Sequence, residues 1–176
     1  MDAIVEAALK KWPAVPHCYG WLALDARGDW YMRDERIQAA GPFPQVKGSR
    51  IEHEKLRAFI ERNYACDAMG SWFFQNGPQR VYLQLEATPW IWRLSLDDGA
   101  LLQIHSHTGR AARQQSAWLD ELGRLYLATD LGFGLVHSMD MVLAADAVEA
   151  GVWQPQDCLS GELQQRFGFQ REPGQT

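Results

Sequence analysis

The sequence predicts an α+β protein dominated by antiparallel sheet, built from repeated β units with three to four helices packed against it. Three observations predict it. Runs such as "VYLQLE" (81–86) and "WIWRLSL" (90–96) follow the two-residue period of a strand. A turn pattern, D-x-x-G followed by bulky residues, begins at Asp25 and returns at Asp67 and Asp120, with a shorter variant at Asp97. Helical spacing of apolar residues is confined to a few short stretches. A length of 176 residues fits one domain, residues 1–176, or two small subdomains of about 1–110 and 111–176.

Residues 2–12 are expected to form the first helix, with Ile4, Val5, Ala8 and Leu9 on one side and Pro13 as its stop. "GWLAL", "DARG" and "DWYMR" then read as strand, turn and returning strand. In this turn Asp accepts a hydrogen bond from the backbone two residues on, and Gly takes the left-handed conformation. "AGPFPQVKGS" (40–49) reads as loop, because two prolines and two glycines interrupt it.

A second helix is expected over 50–64. Ser49 and Glu52 match a capping box, and Leu56, Phe59, Ile60 and Tyr64 form its apolar stripe. Strands follow from about 70 to 107. They include a hairpin around Asn76-Gly77-Pro78 and a second hairpin across "DDG" (97–99). Residues 108–117 read as loop, and "RLYLAT" and "GFGLVHS" as a further hairpin. Residues 139–150 fit either a strand running into a short helix, which is favoured, or a helix capped by Ser138 and ended by Gly151. A last helix is expected over 157–167, where Leu159, Leu163 and Phe167 are four apart and Gly168 ends it. The tail "QREPGQT" reads as frayed.

"PHCYGWLALDARGDWYMRDERI", the helix "IEHEKLRAFIERNY" and "VYLQLEATPW" together resemble a bacterial family of unknown function. The resemblance covers about the first hundred residues; "ATDLGFGLVHSMD" departs from it. It implies a fold of repeated β-hairpin and helix units and a role in signalling. It carries over no functional residue.

The sharpest chemical candidate is a His-x-His pair, His105 and His107, on one face of an expected strand, with His137 on a neighbouring one. Three histidines can hold a transition metal. Gly99 with His105 and His107, and Gly134 with His137, are similar to parts of the two cupin motifs, which implies a β-barrel metal enzyme. The chain departs from those motifs by having Ala111 and Ala112 where a glutamate is expected.

Other enzyme templates are absent: no G-x-S-x-G elbow, phosphate-binding loop, dinucleotide fingerprint or H-E-x-x-H occurs. The net charge of −5, without a dense Lys/Arg cluster, argues against nucleic acid as a partner. Three scattered cysteines, Cys18, Cys66 and Cys158, suit buried thiols in a reducing compartment. With no apolar run long enough for a bilayer and no signal peptide, the expected location is the cytoplasm, with no membrane partner.

The expected function is therefore a non-enzymatic binding or regulatory module with a protein or small-molecule partner and no cofactor. Trp90 and Trp92 are its candidate surface, and a homodimer is the further option. The alternative is the metal-dependent enzyme using His105, His107 and His137 with a transition metal.

Overall fold

Five hairpins of this protein close in the same way, and the closure is written in the residues. In the computed structural model, which describes residues 1–174, the N–H at Asp25, Asp67, Asp97, Ser106 and Asp120 donates to the carbonyl four residues on, at 2.8–3.1 Å. In each case the side-chain oxygen accepts the N–H of that same fourth residue, at 2.8–3.2 Å. The third residue has a positive φ: Gly28, Gly70, Ala100, Gly109 and Gly123. Glycine suits four of these because it has no Cβ to crowd the left-handed backbone.

The strands these turns join divide between two compact units. The first comprises Met1–Asp25, Asp29–Glu86 and the chain from Phe169 on; the second comprises Ala26–Gly28 and Ala87–Gly168.

In the first unit, α1 (Ala3–Lys11) precedes β1 (Cys18–Leu24), β2 (Trp30–Met32), α2 (Glu35–Ala40) and β3 (Ser49–Arg50). Then come α3 (Glu54–Arg62), β4 (Tyr64–Cys66), β5 (Trp72–Asn76) and β6 (Gln79–Leu85). The sheet order is β3-β2-β1-β6-β5-β4. Each half is an antiparallel meander, and the halves meet where β1 runs parallel to β6.

The second unit contains β7 (Trp90–Leu96), β8 (Leu102–Ser106), β9 (Ala111–Ala112), β10 (Gln114–Asp120), β11 (Leu125–Thr129) and β12 (Gly132–Val136). It continues with α4 (Met141–Glu149), β13 (Gln156–Cys158) and α5 (Leu163–Phe167). Its sheet order is β13-β10-β11-β12-β7-β8-β9. Again two meanders join through a parallel pair, β12 and β7, and β13 adds a parallel edge beside β10. The two units therefore share one six-strand topology.

The protein is α+β, as expected, but the sheets are mixed and the described residues form five α-helices. The parallel pairings escape local reading because β1 and β6 lie far apart in sequence and no turn connects them. The capping box at Ser49 does not form. Ser49 pairs with Met32 in the sheet, and α3 starts at Glu54 with His53 Nδ1 accepting the Leu56 N–H at 3.2 Å.

Helix α2, just ahead of the expected loop over 40–49, is capped by Asp34, whose carboxylate accepts the Ile37 N–H at 2.9 Å. Residues 108–117 contribute β9 and the start of β10 rather than loop. The 139–150 segment is helical, entered through one 3-10 turn (Ser138–Asp140). The stretch 157–167 is split into the end of β13, a 3-10 turn and α5, because the Cys158 backbone joins β10. In the tail, Arg171 O accepts the Leu85 N–H at 2.8 Å, so it is tied to the sheet at that point. Residues 175–176 lie outside the described residues.

On α1, Val5 is buried but Ile4 is exposed, so its apolar side is narrower than expected. Arg33 is fully buried and, among the described residues, makes no ion pair. It donates to Val46 O, Gly41 O and Gln84 Oε1, and so ties the loop between α2 and β3 to the sheet.

Candidate functional site

An apolar cleft of about 320 Å³ opens in the first unit between α3 and the sheet. Helix α3 contributes Leu56, Phe59 and Ile60, three of the four stripe residues expected from the sequence. The sheet side supplies Cys18, Trp21 and Leu22 from β1, Met32 from β2, Phe74 and Asn76 from β5, and Gln79 and Val81 from β6; Ile51 closes one end.

Two anchors fix the helix over the sheet. Phe59 meets Phe74 edge to face at 5.5 Å, a geometry that aromatic quadrupoles favour. The second anchor lies beyond the cleft, where Trp30 Nε1 donates to Glu61 Oε1 at 3.2 Å, while Asn63 Nδ2 closes the helix's own end on Phe59 O at 2.9 Å. Burial beside the indole pushes the Glu61 carboxyl up from its ordinary value.

The helix does not fully cover the sheet. Trp21 is 40% exposed and Met32 is 46% exposed, and both belong to the cleft lining. No residue in that lining carries a formal charge at neutral pH. Its polar atoms are the Cys18 thiol, the Trp21 indole N–H and the Asn76 and Gln79 amides. Gln79 Nε2 is itself engaged with Pro16 O at 2.9 Å. The lining is thus apolar and uncharged, with a few neutral hydrogen-bonding groups.

The residues singled out from the sequence lie elsewhere. Trp90 and Trp92 are buried and stacked at 6.0 Å, so they are core rather than surface. Trp92 Nε1 donates to Leu127 O at 3.1 Å. A Cβ on Gly134 would come within 2.5 Å of Trp90 O and Trp92 Nε1, which explains the glycine in "GFG" as a close approach of backbone to indole. Ile91, between the two tryptophans, is also buried. The start of β7 is therefore covered on both faces, whereas Arg93 and Ser95 are exposed and Leu94 is buried further along.

The three histidines are not brought together. His137 is buried, and its Nδ1 accepts the Met139 N–H at 3.1 Å, capping the turn before α4. His107 Nδ1 accepts the Ile91 N–H at 3.3 Å. Burial lowers the His107 imidazole to about 3, which keeps it neutral at physiological pH. His105 pairs across the sheet with Arg93 and Ala111. Among the described residues no group of three or more His, Cys, Asp or Glu side chains is placed to hold a metal ion.

Of the three cysteines, only Cys158 is buried. Cys18 is half-buried at the cleft, and Cys66 is exposed. Among the described residues no helix is long and apolar enough to cross a membrane.

Sequence reading supplied the helix face of the cleft but missed the cleft itself. Its sheet side is assembled from strands that become neighbours only through the parallel β1–β6 pairing.

Two solved structures are similar to this chain. A DUF1285 family protein from Silicibacter pomeroyi DSS-3 superposes with a TM-score of 0.51 at 11% identity, covering 83% of this chain and 84% of that one; it shows a shared fold. A DUF1285 family protein from Shewanella baltica OS155 gives 0.48 at 15% identity, over 72% of this chain and 91% of that one. No curated protein matches the chain. Residues 1–174 match the family DUF2944, described as "Protein of unknown function (DUF2946)", and the chain belongs to that family.

Proposed function

We propose that this protein is a non-enzymatic binding module whose first unit holds an uncharged, apolar small molecule in the cleft beneath α3. One observation carries the reading: a cleft of about 320 Å³ whose lining has no charged side chain and leaves Trp21 and Met32 exposed at its edge. The volume lies at the lower end of small-ligand sites, which run from about 300 to 1,000 Å³. Three free cysteines are consistent with work in a reducing compartment, the cytoplasm. The signalling role implied by the family resemblance then corresponds to a partner sensing whether the cleft is filled.

Trp21 provides the assay. Titration with the neutral fluorophore N-phenyl-1-naphthylamine is expected to raise probe emission and quench tryptophan emission saturably. Leu56→Trp, which fills the cleft from α3, is expected to abolish probe binding while the circular dichroism spectrum is retained. Saturable binding of equal strength in wild type and folded Leu56→Trp refutes the assignment.

A further inference from the structure

We propose that the second unit carries a separate site for a small amphipathic anion, a medium-chain carboxylate being the ligand class. The site is a cavity of about 280 Å³ with two kinds of wall. Leu125, Leu135 and Val136, all buried, form an apolar floor together with Met141. The ionisable groups in its lining are both guanidiniums, Arg27 and Arg124.

Arg124 is held in place: its Nε–H goes to Asp120 Oδ2 at 2.8 Å, and its guanidinium lies 5.9 Å from the Tyr126 ring centroid. That ion pair uses one of the five N–H donors of an arginine. Arg27 is exposed, with Nη2 3.6 Å from Met139 Sδ. The Ser138 hydroxyl adds a neutral donor to the lining.

Two guanidinium side chains line this apolar cavity, one of them, Arg124, already paired with Asp120. They also distinguish this cavity from the uncharged cleft of the first unit. An apolar tail on the floor and a carboxylate at the guanidiniums satisfy both walls at once, because planar guanidinium N–H groups match carboxylate geometry. At roughly 30 Å³ per non-hydrogen atom, the share of liquid volume that one water takes, the cavity holds about nine atoms, the scale of octanoate.

Calorimetric titration of the whole protein with octanoate and with 1-octanol tests the proposal. Octanoate is expected to bind at one site, more weakly at higher salt, and more tightly than octanol. Arg27→Ala is expected to weaken octanoate about tenfold, the loss of one charge-assisted hydrogen bond. Arg27→Glu is expected to abolish octanoate binding. Because Arg27 is exposed, both variants should fold, which circular dichroism checks. Leu56→Trp, in the other unit, should leave octanoate affinity unchanged. The proposal is overturned if octanoate does not bind, if the Arg27 variants bind it as wild type does, or if Leu56→Trp removes it. The last result places the anion in the first unit's cleft instead.

Discussion

Asp120→Ala is expected to destabilise the protein by about 3 kcal/mol, whereas Asp97→Ala, in the same kind of turn, is expected to cost about 1 kcal/mol. Both carboxylates accept two backbone N–H groups of their own turns: Leu122 and Arg124 for Asp120, Gly99 and Leu101 for Asp97. That shared part is worth about 1 kcal/mol, as for a helix cap, because water can replace the lost oxygen at an exposed turn.

The difference lies in the second oxygen. At Asp97 it accepts from Gln103 Nε2 at 2.9 Å in an exposed setting, where water substitutes. At Asp120 it accepts from Arg124 Nε at 2.8 Å and from the Tyr126 hydroxyl at 2.9 Å. The half-exposed Arg124 regains water, and a surface ion pair contributes about 0–1 kcal/mol. Tyr126 is fully buried, so its hydroxyl loses the Asp120 carboxylate where water does not readily replace it, at a cost of about 1–3 kcal/mol.

Urea unfolding at pH 7, followed by fluorescence and circular dichroism, measures both losses. Tyr126→Phe in the Asp120→Ala background should recover about 1–2 kcal/mol by removing the hydroxyl that lost its carboxylate acceptor. Equal losses for the two alanine variants, or no recovery from Tyr126→Phe, would falsify the burial argument.

The same network sets an acid limit. Burial raises the Asp120 carboxyl, but the Arg124 N–H, the Tyr126 hydroxyl and the Arg124 guanidinium outweigh it and hold the group below its ordinary value. Its stabilisation is therefore present above the unfolded carboxyl value, about 3.9, and is lost as pH falls through the lower folded value.

His107 acts in a higher window. Its folded value of about 3 lies below the unfolded value of about 6.5, so the unfolded chain binds the extra proton between them. Stability should fall as pH drops from about 6.5 toward 3, by at most about 1.4 kcal/mol per unit, and His107→Gln should flatten that slope in urea titrations. An unchanged slope in the variant would show that the imidazole is not the group responsible. Glycine in the turns gives a further contrast. At Gly123, with a φ of +75° and open space around a Cβ, alanine should cost about 1 kcal/mol. At Gly28 the added Cβ would meet His107 Cβ at 2.7 Å, so Gly28→Ala should cost at least about 2 kcal/mol. Thermal melts that rank the two equally would remove the contact from the account.

What could be read in the chain was local. The D-x-x-G pattern works because one carboxylate reaches the amide four residues away in every such turn, and at Asp67, Asp97 and Asp120 also the amide two away. Ser106 and Gly109 make the same turn with a hydroxyl in place of the carboxylate, so S-x-x-G carries the same local signal. The capping box at Ser49 had an equally good local pattern. It failed because Tyr31 and Met32 offered the Ser49–Arg50 backbone a strand partner. The tryptophan pair alternated as an exposed or half-buried strand does, but Gly134 lets β12 approach closely enough to cover it.

The sequence by itself determined the turns, most strands, the apolar stripe of α3 and the absence of familiar catalytic motifs, since each depends on residues within a few positions of one another. Only the tertiary structure decided which strands meet in parallel, that the two units share one topology, and that His105, His107 and His137 do not form a metal-holding group. It also decided where the two cavities lie. Each of these depends on contacts between segments tens of residues apart, and those contacts are chosen by burial and backbone pairing across the whole unit rather than by any local pattern.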